Sequence, residues 1–308
     1  MGGSGGSAFP IGPTDIDELR RRANEIADQA SFDAEVNEEL AKRLAAVNAR
    51  DVERIRGYLD DALDALKDAI DDVERTLFGG SVSKGTYVEG LSDVDALVVL
   101  REVPEGATPR EVLEQFRQTL EGRLNHADVA SVDAGALAVT VTYRDGTEIQ
   151  LLPAIHRDDR TAISSGDGTE WKAIHPRRFA QALTDLNAAQ GRAVVPAIKL
   201  AKAVIGAQMG EGSRPSGYHV EALALAAFKD YNGSRNTKAM LTHFFAEAAR
   251  GVLKPIKDIS GQSHHVDERL GNPNSGARQA LSRDLQRIAD TMERSKGISE
   301  WRRLLGDA

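Results

Sequence analysis

The chain has 308 residues, 41% hydrophobic and 28% charged, enough apolar material for one large domain or two modest ones with a buried core. Acidic residues outnumber basic ones, 47 to 39, and the formal net charge of −8 excludes a protein that coats nucleic acid by bulk charge, though a local basic groove fits the numbers. The absence of cysteine excludes disulfides, thiolate zinc sites and a cysteine nucleophile, and no apolar run reaches the ~18–20 residues of a membrane span.

The opening Met1-Gly2-Gly3-Ser4-Gly5-Gly6-Ser7 reads as a cloning scar outside the fold. No charged-then-apolar leader follows it, so a cytoplasmic protein is expected. A polar helix is predicted from Thr14 to near Ala30, and a second from Asp33 to about Val47. Val52, Ile55, Leu59, Leu63, Leu66, Ile70, Val73 and Leu77 then recur at steps of three and four. That spacing predicts one long amphipathic helix stopping at Gly79-Gly80. The chain turns through Ser81 to Thr86 before a strand over Val94 to Leu100, rich in β-branched residues.

Thr108-Pro109-Arg110-Glu111 opens the next helix with a cap, a proline at the first helical position and an acid three residues after the cap. Its inner face is expected to be Val112, Leu113, Phe116, Leu120 and Leu124. Leu137 to Tyr143 and Thr147 to Leu152 form a predicted hairpin around Arg144-Asp145-Gly146, with Pro153 ending the second strand. Helices follow near Pro176–Ala189, Pro196–Ile205, Gly217–Tyr231, Thr237–Gly251 and Gly276–Arg294. The fold class is therefore α+β: a small mixed sheet with flanking helices, then a mostly helical second half.

Two features carry chemistry. Asp93 and Asp95 are one residue apart at the start of a strand, so both side chains project from one face. Paired carboxylates of this kind suit a hard divalent cation, most naturally Mg²⁺ held together with substrate phosphates. Upstream lie Gly80-Ser81 and Gly85-Thr86, a turn whose backbone N–H groups and hydroxyl can approach a phosphate closely. Carboxylates repel phosphates unless a metal bridges them, so the combination predicts metal-dependent phosphoryl or nucleotidyl transfer.

The stretch from Phe78 to Thr86, with Ser92-Asp93-Val94-Asp95-Ala96-Leu97-Val98-Val99 after it, resembles the signature of the DNA polymerase β-type nucleotidyltransferases. The second half is similar to the branch of bacterial cyclic-oligonucleotide synthases, the CD-NTases, relatives of cyclic GMP-AMP synthase and oligoadenylate synthase. That likeness rests on Trp171, His175-Pro176, Ile198-Lys199-Leu200-Ala201-Lys202, Ser216-Gly217-Tyr218-His219-Val220-Glu221 and Trp301. It implies a polymerase β-like core with a long N-terminal spine helix over residues 8–160, and a helical domain over 161–308 closing the nucleotide cleft. It also implies that Asp93 and Asp95 bind two Mg²⁺ ions, with Mn²⁺ as a substitute. Gly80, Ser81 and Lys84 would hold the terminal phosphates of a nucleoside triphosphate. Lys199 and Lys202, three apart on one helical face, could reach the same triphosphate. Ser216 reads as a helix N-cap that could touch phosphate, and Tyr218 as a ring stacking on a nucleobase. The product would be a cyclic or linear oligonucleotide signal, released with pyrophosphate, in bacterial anti-phage defence.

Members of this family carry a third carboxylate one strand pair later, before an apolar-apolar-Pro run; here that place is Gln150, in Thr147-Glu148-Ile149-Gln150-Leu151-Leu152-Pro153. An amide offers a metal one neutral oxygen and cannot accept the hydroxyl proton. Either Glu148, two residues earlier on the same strand face, serves instead, or the site turns over slowly, or the third acid is dispensable. Two other readings compete: transfer of nucleotides to a tRNA 3′ end, and a nucleotide-sensing module whose catalysis is lost at Gln150. His264-His265 is read as a solvated loop pair, since neighbouring rings point apart. An effector protein is left open, activation by double-stranded DNA is not expected without a zinc module, and a monomer is expected.

Overall fold

The computed structural model describes residues 13–49, 52–70, 73–78, 84–88, 94–104, 106–157, 160–210 and 212–307. The chain opens with helix α1, Pro13–Asn48, and helix α2, Val52–Lys67. The expected break near residue 31 is not there. Phe32, Val36, Leu40 and Leu44 keep one packed face in phase, and neither Gly nor Pro interrupts the run. The long helix expected over 52–77 is also corrected: after α2 the chain becomes strand β1, Val73–Phe78. Val, Thr and Phe in this stretch favour extended backbone, and β1 finds a partner along its whole length, which a helical period cannot reveal.

That partner is β2, Val94–Leu100, antiparallel to β1. Helix α3, Pro109–Arg123, follows with the expected capping box: Thr108 accepts from the Glu111 N–H, and the Glu111 carboxylate accepts from the Thr108 N–H at 2.8 Å. Its five expected inner-face residues are all buried. Strands β3 (Val129–Ala134), β4 (Val139–Tyr143), β5 (Glu148–Arg157), β6 (Arg160–Ser164) and β7 (Trp171–Ile174) complete a seven-stranded sheet in the described residues. Its order is β1-β2-β5-β4-β3, with β6 on β5 and β7 on β6. Among the described strands only β2 and β5 are parallel. The β4–β5 hairpin turns at Arg144-Asp145-Gly146, where Gly146 takes φ +86°, a left-handed conformation that costs glycine little.

Pro153 does not end β5, contrary to expectation. It falls between Leu151, the last residue paired with β4, and Ala154, the first paired with β6. A missing N–H is tolerated in that gap. The described residues then form the α-helices α4 (Pro176–Ala189), α5 (Val194–Gln208), α6 (Gly217–Phe228), α7 (Thr237–Gly251), α8 (Gly276–Arg294) and the unexpected α9 (Ile298–Leu305). One core lies between the sheet and helices α2 and α3. A second joins α4 to α9, and Val36 and Leu40 of α1 belong to it. The apolar stripe of α1 is buried among the later helices, and the sheet runs on to Ile174.

Candidate active site

Strand alternation sorts β2 into two faces. Ala96, Val98 and Leu100 join the core under α2 and α3, while Leu97 and Val99 pack on the other side with Leu152, Ala154 and Ile163. Asp95 shares the face of Leu97, at the open end where the apolar run stops. The parallel register pairs it with Gln150, and both side chains are half-buried. Adjacent strands lie about 4.8 Å apart, so carboxylate and amide stand side by side. Glu148 occupies the same face of β5 but lies back along the strand by two residues, roughly 6.6 Å, and is exposed. Asp93, Gly80 and Ser81 lie outside the described residues.

The loop ahead of β2 is held from the helical side. Gly85 takes φ +68°, which turns the chain so that Lys84 and Thr86 both point into the helices. Glu221 of α6, 1% exposed, receives them. Its Oε2 lies 2.5 Å from Lys84 Nζ, and its Oε1 accepts from Lys202 Nζ of α5 at 2.9 Å and from Thr86 Oγ1. Lys202 Nζ also donates to the Thr86 carbonyl oxygen at 3.0 Å. The Lys84 ammonium sits 5.0 Å from the ring centre of Phe179 and 5.1 Å from that of Tyr218, a box of two π-faces and one carboxylate.

Burial alone would raise the Glu221 pKa, but Lys202 and Lys84 outweigh it and hold the carboxyl below its usual range. Burial disfavours the Lys202 ammonium; Glu221 acts against that, Lys84 adds to it, and the Asp95 charge favours the ammonium through space. The cluster therefore joins the two halves electrostatically, and Asp95 lies within its field.

The remaining expected residues divide. Lys199 and Lys202 share a helical face, and Lys199 Nζ donates to Asn48 Oδ1 at the end of α1, at 2.6 Å. Ser216 is the N-cap of α6, its hydroxyl accepting from the His219 N–H at 3.2 Å. Tyr218 packs against Phe179, ring centres 4.5 Å apart, and its hydroxyl donates to Asp258 Oδ1 at 2.7 Å. His264 and His265 have perpendicular rings, and both backbone N–H groups donate to Glu268 Oε1. Sequence reasoning gave Phe179 no place, read Thr86 only as part of a phosphate-binding turn, and named Glu221 only within the stretch that carries the resemblance. One signal for Glu221 existed: it is the sole acid in the apolar run Gly217–Phe228.

The donors around Asp95 are oxygens, one charged and one amide, a set that fits a hard cation of the Mg²⁺ type and not a thiophilic one. Among the described residues no three His, Asp or Glu side chains converge on one point, so a cation there would draw its other ligands from a substrate or from outside those residues. Among the described residues, no helix is long and apolar enough to cross a membrane.

Residues 35–187 match the family described as the Second Messenger Oligonucleotide or Dinucleotide Synthetase domain, SMODS. Among solved structures the chain is similar to CdnC of E. coli MS115-1 with ATP, at 16% identity and a TM-score of 0.64, covering 89% of this chain and 97% of that one. It is similar also to the CD-NTase CdnG of Bradyrhizobium diazoefficiens in complex with GTP, at 16% identity and a TM-score of 0.63, covering 88% and 96%. A third is the DncV cyclic AMP-GMP synthase of Vibrio cholerae with nonhydrolyzable GTP, at 14% identity and a TM-score of 0.62, covering 96% and 91%. CdnC has also been solved in a CdnC:HORMA-deltaN complex. At such identities the likeness to these structures is one of fold. No curated protein matches the chain in sequence.

Proposed function

Because residues 35–187 are a SMODS domain and the protein belongs to the CD-NTase branch of the polymerase β-type nucleotidyltransferases, we propose that it joins nucleoside triphosphates into a cyclic or linear oligonucleotide, releasing pyrophosphate. The signal would act in bacterial anti-phage defence, in the cytoplasm. The observation that carries this reading is Asp95 beside Gln150 on parallel strands, at the end of an apolar face, within the field of the buried lysine cluster.

In this reading Asp95, with Asp93, holds the divalent ions, and Gln150 adds one neutral oxygen. A Mg²⁺ or Mn²⁺ held by these residues would polarise the α-phosphate and offset charge on the departing pyrophosphate. Gly80 and Ser81 seat the terminal phosphates, with Lys199, Lys202 and Ser216 approaching from the helical half. Lys84, next to that turn in sequence, has its ammonium held by Glu221 and the Phe179 ring. Tyr218 offers an edge to a base. A hydroxyl of a second nucleotide attacks the α-phosphorus as the bond to pyrophosphate breaks. Its proton leaves to water or to Glu148, the exposed carboxylate on that face, because Gln150 cannot take it. A protein partner is compatible with the reading, since CdnC has been solved in a CdnC:HORMA-deltaN complex.

The test is incubation with all four labelled triphosphates and Mg²⁺ or Mn²⁺, with phosphatase-resistant products resolved. Wild type should give such a product together with pyrophosphate, and Asp95→Ala should abolish both. One observation favours a second reading, a nucleotide-sensing module: the amide at Gln150. Thermal stabilisation by ATP or GTP with Mg²⁺, but no pyrophosphate under any condition, would replace the first reading with the second.

A further inference from the structure

The first half of α1 stands clear of both cores. Every residue from 16 to 31 is exposed, and packing on the helical core begins with Phe32 and runs on through Val36, Leu40 and Leu44. Four large apolar side chains are exposed among the described residues, and three of them, Ile16, Leu19 and Ile26, lie on this arm. With Ala23 and Ala30 they fall at alternating steps of three and four, the seam by which two helices wind together. At 1.5 Å per residue the seam is about 21 Å long. It lies roughly a quarter turn round the helix from the docked face, so it is not that face carried on past the body.

The charges beside the seam decide what it meets. Residues 16–31 hold four acids and three arginines, a net of −1 against −8 for the whole chain. Each arginine is answered on its own helix: Arg20 by Asp17 at 3.8 Å, Arg21 by Glu25 at 3.1 Å and Arg22 by Glu18 at 2.5 Å. A membrane surface or a nucleic acid asks for an excess of positive charge, and a charged peptide for an excess of the opposite sign. An apolar seam with neutralised flanks suits a copy of itself. With two arms pointing the same way, Ile16, Leu19 and Ile26 each stack on their own counterpart, and Arg22 flanks Ala27 instead of another arginine.

We propose that this seam is a dimer interface: two copies of the chain associate by parallel pairing of their α1 arms, in place of the monomer expected from the sequence. The arm precedes residues 35–187, the span that matches the family, and the pairing is independent of the reading of Asp95 as a metal ligand. So short a seam falls below the roughly 800 Å² per partner of a standard interface. The dimer is therefore weak and reversible, with a dissociation constant of the order of 100 µM.

Sedimentation equilibrium of the full chain tests the pairing. The weight-average mass should rise from the 33.2 kDa of one chain at about 5 µM toward twice that at about 500 µM. Leu19→Ala combined with Ile26→Ala should weaken association by about tenfold or more. That variant folds as wild type does, because both side chains are exposed in the single chain and alanine favours helix. Asp28→Ala, roughly opposite the seam on the same helix, should associate as wild type does. The chain has no cysteine, so Ala23→Cys should cross-link to its counterpart under mild oxidation, and Asp28→Cys should do so far more slowly. A mass of one chain at every concentration, a dimer untouched by the alanine pair, or equal cross-linking at residues 23 and 28 would each overturn the proposal. So would a chain that dimerises only once residues 1–12 are removed, since that segment would then be the occupant of the seam.

Discussion

Gln150 stands beside Asp95 across two parallel strands, and its amide brings a neutral oxygen where a carboxylate would bring charge and basicity. A cation at Asp95 therefore gains less from this neighbour, and the hydroxyl proton has no acceptor at that place. Replacing Gln150 with Asp should raise Mg²⁺-dependent turnover by about tenfold or more and lower the Mg²⁺ concentration at half-maximal rate. A null result there, combined with loss of turnover in Glu148→Ala, would show instead that the exposed glutamate further back on β5 does this work. The residue most legible in the sequence was one whose role needs only local spacing, the Ser216 cap. Glu221 was hidden because its meaning lies in three partners from distant places, Lys84, Thr86 and Lys202. The same holds for Lys199, whose spacing from Lys202 suggested a shared target, while its contact with Asn48 is fixed by where α1 ends.

Among elements, the sequence was read best where one segment carries its own instructions. The Thr108 capping box, the Asp145-Gly146 turn and the Ser216 cap are complete within a few residues. It was read worst where a neighbour decides. Residues 73–78 continue the period of α2 but pair with β2, and β3 and β7 show mostly half-exposed or exposed residues with no apolar alternation to mark them. Helix α1 shows how burial is distributed along one element. Leu40 is fully buried in the helical half, whereas Ile26, fourteen residues earlier on the same helix, is 70% exposed. Leu40→Ala should therefore cost about 2–5 kcal/mol in urea unfolding, and Ile26→Ala no more than about 0.5 kcal/mol. Because Leu40 packs on the later helices, the lost protection in hydrogen exchange should fall on α5 and α7 before it reaches the sheet. Faster exchange confined to β2 and β5 would mean that α1 is tied to the sheet instead.

For the molecule as a whole, the helical half is tied together by a second buried polar group, and this one sets a pH limit. His219 of α6 is 1% exposed, and neither ring nitrogen has a hydrogen-bond partner among the described residues. Asp267 lies 3.7 Å from its Nε2, but Asp267 is also held by Arg278, at 2.5 Å, and Arg278 in turn donates to the carbonyl oxygens of Val252, Lys254 and Gly271. Burial pulls the His219 pKa down from 6.5 to about 4, with Asp267 opposing and Arg269 and Arg278 assisting. In the unfolded chain the imidazole takes up its proton near pH 6.5; in the folded chain it does so only near pH 4. Between those values the unfolded state binds more protons, so stability is full above about pH 6.5 and falls as the pH drops toward 4, by at most about 3 kcal/mol. Asp267, whose carboxyl is held below its usual range despite burial by Arg278, the Ile256 N–H and His219, adds its own loss at still lower pH. Thermal unfolding followed from pH 7.5 to 4 should show a falling midpoint for wild type and a much flatter profile for His219→Leu, which removes the titrating group and leaves the Asp267–Arg278 pair in place. Parallel slopes in the two proteins would mean that the acid sensitivity arises elsewhere and that the buried imidazole is protonated without cost.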